Sequence, residues 1–171
     1  RLGLAEAVAE VSERTVFGDL MVALGVPLPI YGIPAFKRVA RVMLPIVSHF
    51  PMSMIFYGSD GAEHEPKYTK YFEESDLIAG DFLFMRKYMP MNLSGKTVVT
   101  NTTTEENIAL LKERGVKTII TTTPRYDGRS FGTNTTEAML TAYAGKGRRL
   151  TDDELNGLID ELGLMPTVIK M

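Results

Sequence analysis

Cysteine and tryptophan are both absent from this chain of 171 residues. Without cysteine there can be no disulfide, no thiolate metal ligand and no cysteine nucleophile. No apolar run reaches the roughly 18 residues that a membrane-spanning helix needs, so we expect no membrane partner. A reducing compartment fits the lack of cysteine, and we therefore expect a cytoplasmic protein.

Neither sign of charge dominates, since the chain has 19 Lys and Arg residues and 21 Asp and Glu residues. The net charge of −2 supplies no basic field, and nucleic acid is therefore not an expected partner. The two histidines, His49 and His64, neighbour no carboxylate cluster with the spacing of metal ligands, and we expect no metal site. No HExxH motif occurs, which removes most support for a metalloenzyme of that type.

The chain is long enough for one domain, and we expect residues 1–171 to form one. It begins at Arg1 within the helical pattern RLGLAEAVAEV, so we expect a fragment of a longer chain that lacks its first strand. The broad apolar face of Ala35–Phe50 predicts a helical insertion around residues 34–50. That insertion is interpreted as a core helix or as a subunit contact in a homodimer.

From residue 76 onward, short β-branched runs alternate with helical patterns of about ten residues. The predicted strands are Asp76–Ala79, Lys96–Thr100 and Val116–Thr121, with less distinct strands at Arg14–Phe17 and Met52–Tyr57. Predicted helices cover Phe82–Tyr88, Glu105–Arg114, Thr133–Ala144 and Asp153–Leu162. This alternation predicts an α/β domain with a doubly wound, mostly parallel, Rossmann-like sheet.

Ligands of open α/β sheets bind beyond the carboxyl ends of the strands, where this chain concentrates threonine and asparagine. In Thr100–Asn107 one hydroxyl can cap the next helix, while Asn101 and Thr102 are left over for the hydroxyls or phosphate of a ligand. In Gly128–Ala138 a glycine-containing loop leads into a helix, an arrangement that favours an anion. The predicted anion or substrate site comprises Arg125, Arg129, Ser130, Gly132, Thr133 and Asn134. A flexible loop with a simple helix cap is the alternative interpretation.

Asp19 follows the predicted strand Arg14–Phe17, at the position where dinucleotide-binding folds place an acid on the ribose hydroxyls. Gly3 would be the last glycine of the preceding phosphate-binding turn, sixteen positions earlier. An ordinary aspartate turn explains Asp19 equally well.

Several stretches of the chain resemble a bacterial family described as quinate 5-dehydrogenase or shikimate dehydrogenase-like. The stretches are FGDLMVALGVPLPI, LPIVSHFP, DLIAGDFLFMRKYMP, GKTVVTNTTTEE and TIITTTPRYDGRSFGTN. The resemblance implies an NAD- or NADP-dependent oxidoreductase that acts on a polyhydroxy carboxylic acid. Ile120–Pro124 is similar to the segment that lies beside the nicotinamide in such enzymes, so Thr121, Thr122 and Thr123 are implied cofactor neighbours.

A second hypothesis is a non-redox domain that binds a nucleotide or a phosphorylated metabolite, as a transferase, a sensor or a regulatory subunit. A third is an assembly domain whose apolar helix packs on a partner. Fold does not fix function, and all three hypotheses therefore remain open at the level of sequence.

Overall fold

A computed structural model describes residues 3–49 and 64–171 of the chain. The chain forms two compact units. The first unit comprises Arg1–Glu74 and Leu83–Pro90, and the second comprises Ser75–Phe82 and Met91–Met171. The predicted strand Met52–Tyr57 lies outside the described residues, and the expected single domain over residues 1–171 stays a prediction.

The first unit is mostly helical. Its elements are α1 (Gly3–Glu10), β1 (Val16–Phe17), α2 (Asp19–Leu24), β2 (Ile30–Tyr31), α3 (Ile33–Val47) and α4 (Thr69–Glu74). The ring of Phe17 stacks on the ring of Phe36 with centroids 4.2 Å apart. Met21, Ile30 and Phe36 are buried. These apolar side chains hold β1 and β2 against the start of α3.

The strand predicted at Arg14–Phe17 is shorter than expected and is paired differently. Val16 pairs with Tyr31 and Phe17 pairs with Ile30, in antiparallel orientation. The prediction that this segment belongs to the mostly parallel sheet is therefore wrong for the described residues. The proline-rich segment 25–34 brings the chain back beside β1.

The second unit carries the main sheet. Its strands are β3 (Leu77–Ala79), β4 (Thr97–Thr100), β5 (Thr118–Thr121), β6 (Arg125–Tyr126), β7 (Arg129–Ser130) and β8 (Thr167–Lys170). Its helices are α6 (Glu105–Glu113), α7 (Thr133–Ala144) and α8 (Asp152–Glu161). Helix α5 (Phe82–Tyr88) has its first residue in this unit. Helix α5 continues from Leu83 in the first unit. Strands are predicted at β3, β4 and β5, and the structure confirms all three.

The four-stranded sheet has the order β3, β4, β5, β8. The first three strands are parallel, and Thr97 aligns with Leu77 on one side and with Thr118 on the other. Strand β8, which the sequence analysis did not predict, pairs with β5 in antiparallel orientation. The fold is therefore mixed α/β with a mostly parallel sheet flanked by helices.

Helix starts in the second unit follow the expected capping rules. The Thr104 hydroxyl accepts the backbone N–H of Asn107 and caps α6. Thr151 and Glu154 form a capping box at α8, which satisfies two otherwise unpaired N–H groups. Apolar side chains of α7 and α8 and the chain between them form a cluster that joins the two helices, namely Leu140, Leu150 and Leu155. Among the described residues, no helix has the length and apolar character needed to cross a bilayer.

Candidate functional site

The carboxyl ends of the three parallel strands are joined by hydrogen bonds. The buried Thr100 ends β4, and its hydroxyl donates to the Gly80 carbonyl just after β3 at 2.8 Å. The backbone N–H of Thr122, just after β5, donates to the Thr100 carbonyl at 2.8 Å. The loops that follow the strands therefore leave the sheet from one edge, as the topology of parallel strands requires.

The loop after β4 is fastened to strand β7. The Thr103 N–H donates to the Ser130 hydroxyl at 3.0 Å, and the Ser130 N–H donates to the Thr103 carbonyl at 2.9 Å. The two hydroxyl oxygens are also hydrogen-bonded at 2.6 Å. Both side chains are buried. Ser130, predicted as an anion ligand, thus acts within the described residues as a structural link between two loops.

Strands β6 and β7 form a hairpin where the sequence analysis expected a loop. Arg125 pairs with Ser130 and Tyr126 pairs with Arg129. The turn residues Asp127 and Gly128 both have positive φ, of 46° and 77°. An Asp-Gly turn with two positive φ angles is typical of tight hairpins. The register therefore places Arg125 and Arg129 on opposite faces of the short hairpin.

The side chain of Arg125 is mostly buried, with 13% of its surface exposed, and hydrogen bonds hold it in place. One terminal nitrogen, Nη2, donates to Glu105 Oε1 at 2.8 Å and also to the Gly128 carbonyl. Its Nε atom is shielded from solvent and has no hydrogen-bond partner among the described residues. By contrast, the neighbouring Arg129 is exposed.

The three threonines after Ile120 have different roles. Thr121 donates to the Thr123 carbonyl at 2.7 Å, and Thr123 donates to the Phe131 carbonyl at 2.7 Å. The Thr122 hydroxyl oxygen is also shielded from solvent, yet it has no partner among the described residues. The hydroxyls of Thr121 and Thr123 are therefore committed to the fold, whereas Thr122 keeps its hydrogen-bonding capacity.

The predicted residues at the start of α7 are accessible. Thr133 and Asn134 are exposed, and the N-cap residue Gly132 provides no side-chain cap. Thr102 is exposed, has a φ of 55° and lies close to Gly132. A Cβ added to Gly132 would stand 3.4 Å from the hydroxyl oxygen of Thr102. Thr102 also donates to the Asn101 side-chain oxygen at 3.3 Å. The first turn of α7 thus presents backbone N–H groups beside a hydroxyl.

Gly3 and Asp19 belong to the first unit, whereas the other predicted site residues belong to the second. Gly3 begins α1, and a Cβ placed there would meet nothing within 4 Å. Asp19 begins α2, where loss of solvent around it raises the pKa of its carboxyl, opposed by a hydrogen bond from its own backbone. Their predicted roles toward a dinucleotide stay predictions.

Within the second unit, the predicted residues of the β4, β5 and hairpin loops share one edge of the sheet. The sequence analysis missed Thr103, Glu105 and Gly128, which position that edge. The Asp127–Gly128 dipeptide was the available signal for the hairpin. Among the described residues, no group of three or more His, Cys, Asp or Glu is arranged to hold a metal ion.

Comparison with known proteins gives a family. The chain belongs to the family described as Domain of unknown function (DUF8754), whose profile matches residues 1–171. No curated protein matches the chain. No solved structure matches it either.

Proposed function

We propose that this chain contains a Rossmann-like, doubly wound α/β domain that binds a phosphate-bearing small molecule at the carboxyl edge of its parallel sheet. One observation carries the proposal. Thr122 Oγ1 and Arg125 Nε are both shielded from solvent and both lack a hydrogen-bond partner among the described residues. The two residues lie three positions apart in the segment that follows β5.

Such atoms are costly in a folded protein. A buried polar group without a partner destabilises the folded state by about 1–3 kcal/mol. Such groups call for an explanation, and a ligand or an ordered water is a common one. A phosphate oxygen accepts hydrogen bonds from a hydroxyl and from a guanidinium N–H, so an anionic group is a chemical match for each of the two atoms.

Two further features of the same unit support an anion there. The backbone N–H groups in the first turn of α7 receive no side-chain cap, because the N-cap residue is Gly132. The N-terminus of a helix favours a bound negative charge. Arg129 is exposed on the adjacent hairpin strand and adds a positive charge. The alternative of a merely well-capped helix is less favoured for α7, because no side chain caps it.

The test is a thermal-shift titration of the full chain with inorganic phosphate, ADP, NAD(H) and NADP(H). A ligand present at 100 times its dissociation constant stabilises the folded state by about 2.7 kcal/mol. We expect a saturable shift with at least one of these compounds, and its loss in the variant Thr122→Val. Thr118→Val, at the other end of β5, is the matched control and should bind normally. No shift with any of the four compounds would refute the proposal.

A nicotinamide-dependent oxidoreductase of the quinate or shikimate type is the second candidate. It is favoured by the resemblance of Ile120–Pro124 to a nicotinamide-neighbouring segment, together with the uncommitted hydroxyl of Thr122. Under this proposal NAD or NADP binds near Thr121–Thr123 in the cytoplasm, and Arg129 holds the carboxylate of a small polyhydroxy acid. The cofactor would carry the hydride chemistry, while the chain orients cofactor and acid.

Fluorescence of NADH and NADPH separates the two candidates. Saturable binding of a reduced nicotinamide, competed by its oxidised form, supports the oxidoreductase. Binding of phosphate or ADP without any binding of a nicotinamide cofactor supports the first candidate and excludes the second.

A further inference from the structure

An open groove of about 880 Å³ runs along one side of α7 in the second unit. The helix contributes residues at helical spacing, including Asn134, Ala138 and Thr141, and Arg148 and Arg149 also line the groove. Small-molecule sites in proteins typically measure about 300–1,000 Å³, so the groove has the size of a ligand site. Apart from Asn134 at one end, none of the residues assigned to the strand-end site lines it.

Among the side chains that line the groove, Arg149 has a guanidinium that is both oriented by a neighbour and accessible to a ligand. Its Nε donates to Glu137 Oε1 at 3.1 Å, which orients the guanidinium. The side chain is 71% exposed, and its two terminal nitrogens have no hydrogen bond among the described residues. A planar guanidinium with two open N–H groups binds a carboxylate in a bidentate manner.

The other cations beside the groove, Arg148 and Lys146, share one carboxylate. Arg148 donates from both terminal nitrogens to Glu154, at 2.9 and 2.8 Å, and Lys146 donates to Glu154 at 2.6 Å. These bonds hold the pKa of Glu154 far below its usual range. Three cations and the two carboxylates of Glu137 and Glu154 leave one net positive charge, which matches a ligand with a single negative charge.

Small residues form the remainder of the lining. Ala138, Ala142, Gly145 and Gly147 carry no long side chain that could fill the space beside the arginines. A compact apolar body can therefore lie along α7 while a charged group reaches Arg149. A phosphate dianion is less well matched, because only one net charge is available.

We propose that this groove binds a small monocarboxylate with a compact apolar body, whose carboxylate is bound by the terminal nitrogens of Arg149. The apolar body lies over Ala138 and Ala142, and Glu137 positions the guanidinium. This site is independent of the proposed strand-end function, because it requires neither Thr122 nor Arg125.

The experiment is an NMR titration of the full, ¹⁵N-labelled chain with benzoate, and with benzamide as its uncharged counterpart. We expect benzoate to shift the amide signals of Thr141, Gly145, Gly147 and Arg149 saturably. Benzamide should bind at least about tenfold more weakly, since it lacks the charge on which a charge-assisted hydrogen bond depends. Equal binding of the two compounds, or non-saturating shifts with benzoate, would overturn the proposal.

Variants then identify the residues responsible. Arg149→Ala should weaken benzoate binding at least about tenfold without loss of fold, because the side chain is exposed. Ala142→Leu should also weaken binding by occupying the groove while every charge stays in place. Arg38→Ala, a solvent-exposed arginine of α3, is the control and should bind benzoate normally. Unchanged binding in Arg149→Ala would refute the site, even if phosphate or ADP still binds at the strand-end edge.

Discussion

Thr103 and Ser130, 27 positions apart in the chain, exchange three hydrogen bonds in a buried contact. Two of these bonds use the Ser130 hydroxyl, and the third joins the backbones. The contact connects the loop after β4 to the hairpin that carries Arg125. The geometry of the strand-end edge thus depends on two hydroxyl groups that face the protein interior.

The variant Ser130→Ala removes both side-chain hydrogen bonds and leaves the buried N–H of Thr103 without its partner. We expect the free energy of unfolding to fall by about 2–3 kcal/mol, since each lost bond costs about 1 kcal/mol and an unsatisfied donor adds to this. Urea denaturation monitored by circular dichroism measures the change. Ser48→Ala, whose hydroxyl bonds to Pro45 at an exposed position, should change stability by less than about 0.5 kcal/mol.

Thr122→Val and Thr123→Val form a matched pair of substitutions at the end of β5. The Thr122 hydroxyl has no partner among the described residues, so its removal should leave stability unchanged or slightly increased. The Thr123 hydroxyl donates to the Phe131 carbonyl, and its removal should cost about 1–2 kcal/mol. Thermal denaturation of both variants checks the order. Equal losses of stability would contradict the assignment of Thr122 as uncommitted.

Gly128→Ala should destabilise the hairpin for two reasons. The φ angle of 77° costs an L-residue about 1–2 kcal/mol, and the new Cβ would stand 2.6 Å from Glu105 Oε1. Gly147→Ala is the control, because its φ of 64° carries the same backbone cost while a Cβ there meets nothing within 4 Å. We expect Gly128→Ala to lose about 0.5 kcal/mol more than Gly147→Ala in urea denaturation, because the exposed Glu105 can move aside at the cost of its hydrogen bond from Arg125.

The ion pairs of Glu154 should make stability depend on pH in the acid range. Hydrogen bonds from Arg148, Lys146 and Thr151 lower the pKa of Glu154 far below its value of 4.5 in an unfolded chain. A lowered pKa stabilises the fold above the unfolded value, and this contribution is lost as the pH falls further. Glu154→Gln should therefore be less stable than the parent chain at pH 7.

Urea midpoints at pH 7, 5 and 3 test this dependence, and the difference between the two proteins should shrink below about pH 4.5. Glu161→Gln, at the exposed end of α8, serves as the control and should show no comparable change with pH. A difference that stays constant from pH 7 to pH 3 would contradict an electrostatic role for Glu154.

The parallel strands and the helices that follow them could be predicted because the residue pattern within each segment indicates its secondary structure. Runs such as Val98 to Thr100 and Ile119 to Thr121 consist of β-branched residues, and the first is followed by the helix cap Thr104. The capping box at Thr151 was readable for the same reason. Strand β8 is as long as β4 and β5, but it was missed because it gains its structure from antiparallel pairing with β5.

The arrangement within the strand-end edge could not be read from one sequence. The hydrogen bonds from Thr103 to Ser130 and from Arg125 to Glu105 join residues 27 and 20 positions apart. Hydrophobic periodicity does not indicate which distant residues will be hydrogen-bonded. The hairpin was a different case, since its Asp-Gly turn was visible in the sequence. The sequence analysis weighed the glycines of this segment for anion binding and so overlooked their role in the turn.

The antiparallel partner of β5 also has a consequence for how the chain folds. Thr121 pairs with Thr167, which lies 46 positions later, so synthesis of α7 and α8 must be finished before that side of β5 is covered. During this interval the β-branched segment Thr118–Thr121 presents an unpaired edge, which is a template for association between chains. Truncation before residue 167 should therefore yield a protein that aggregates at concentrations where the whole chain remains dispersed.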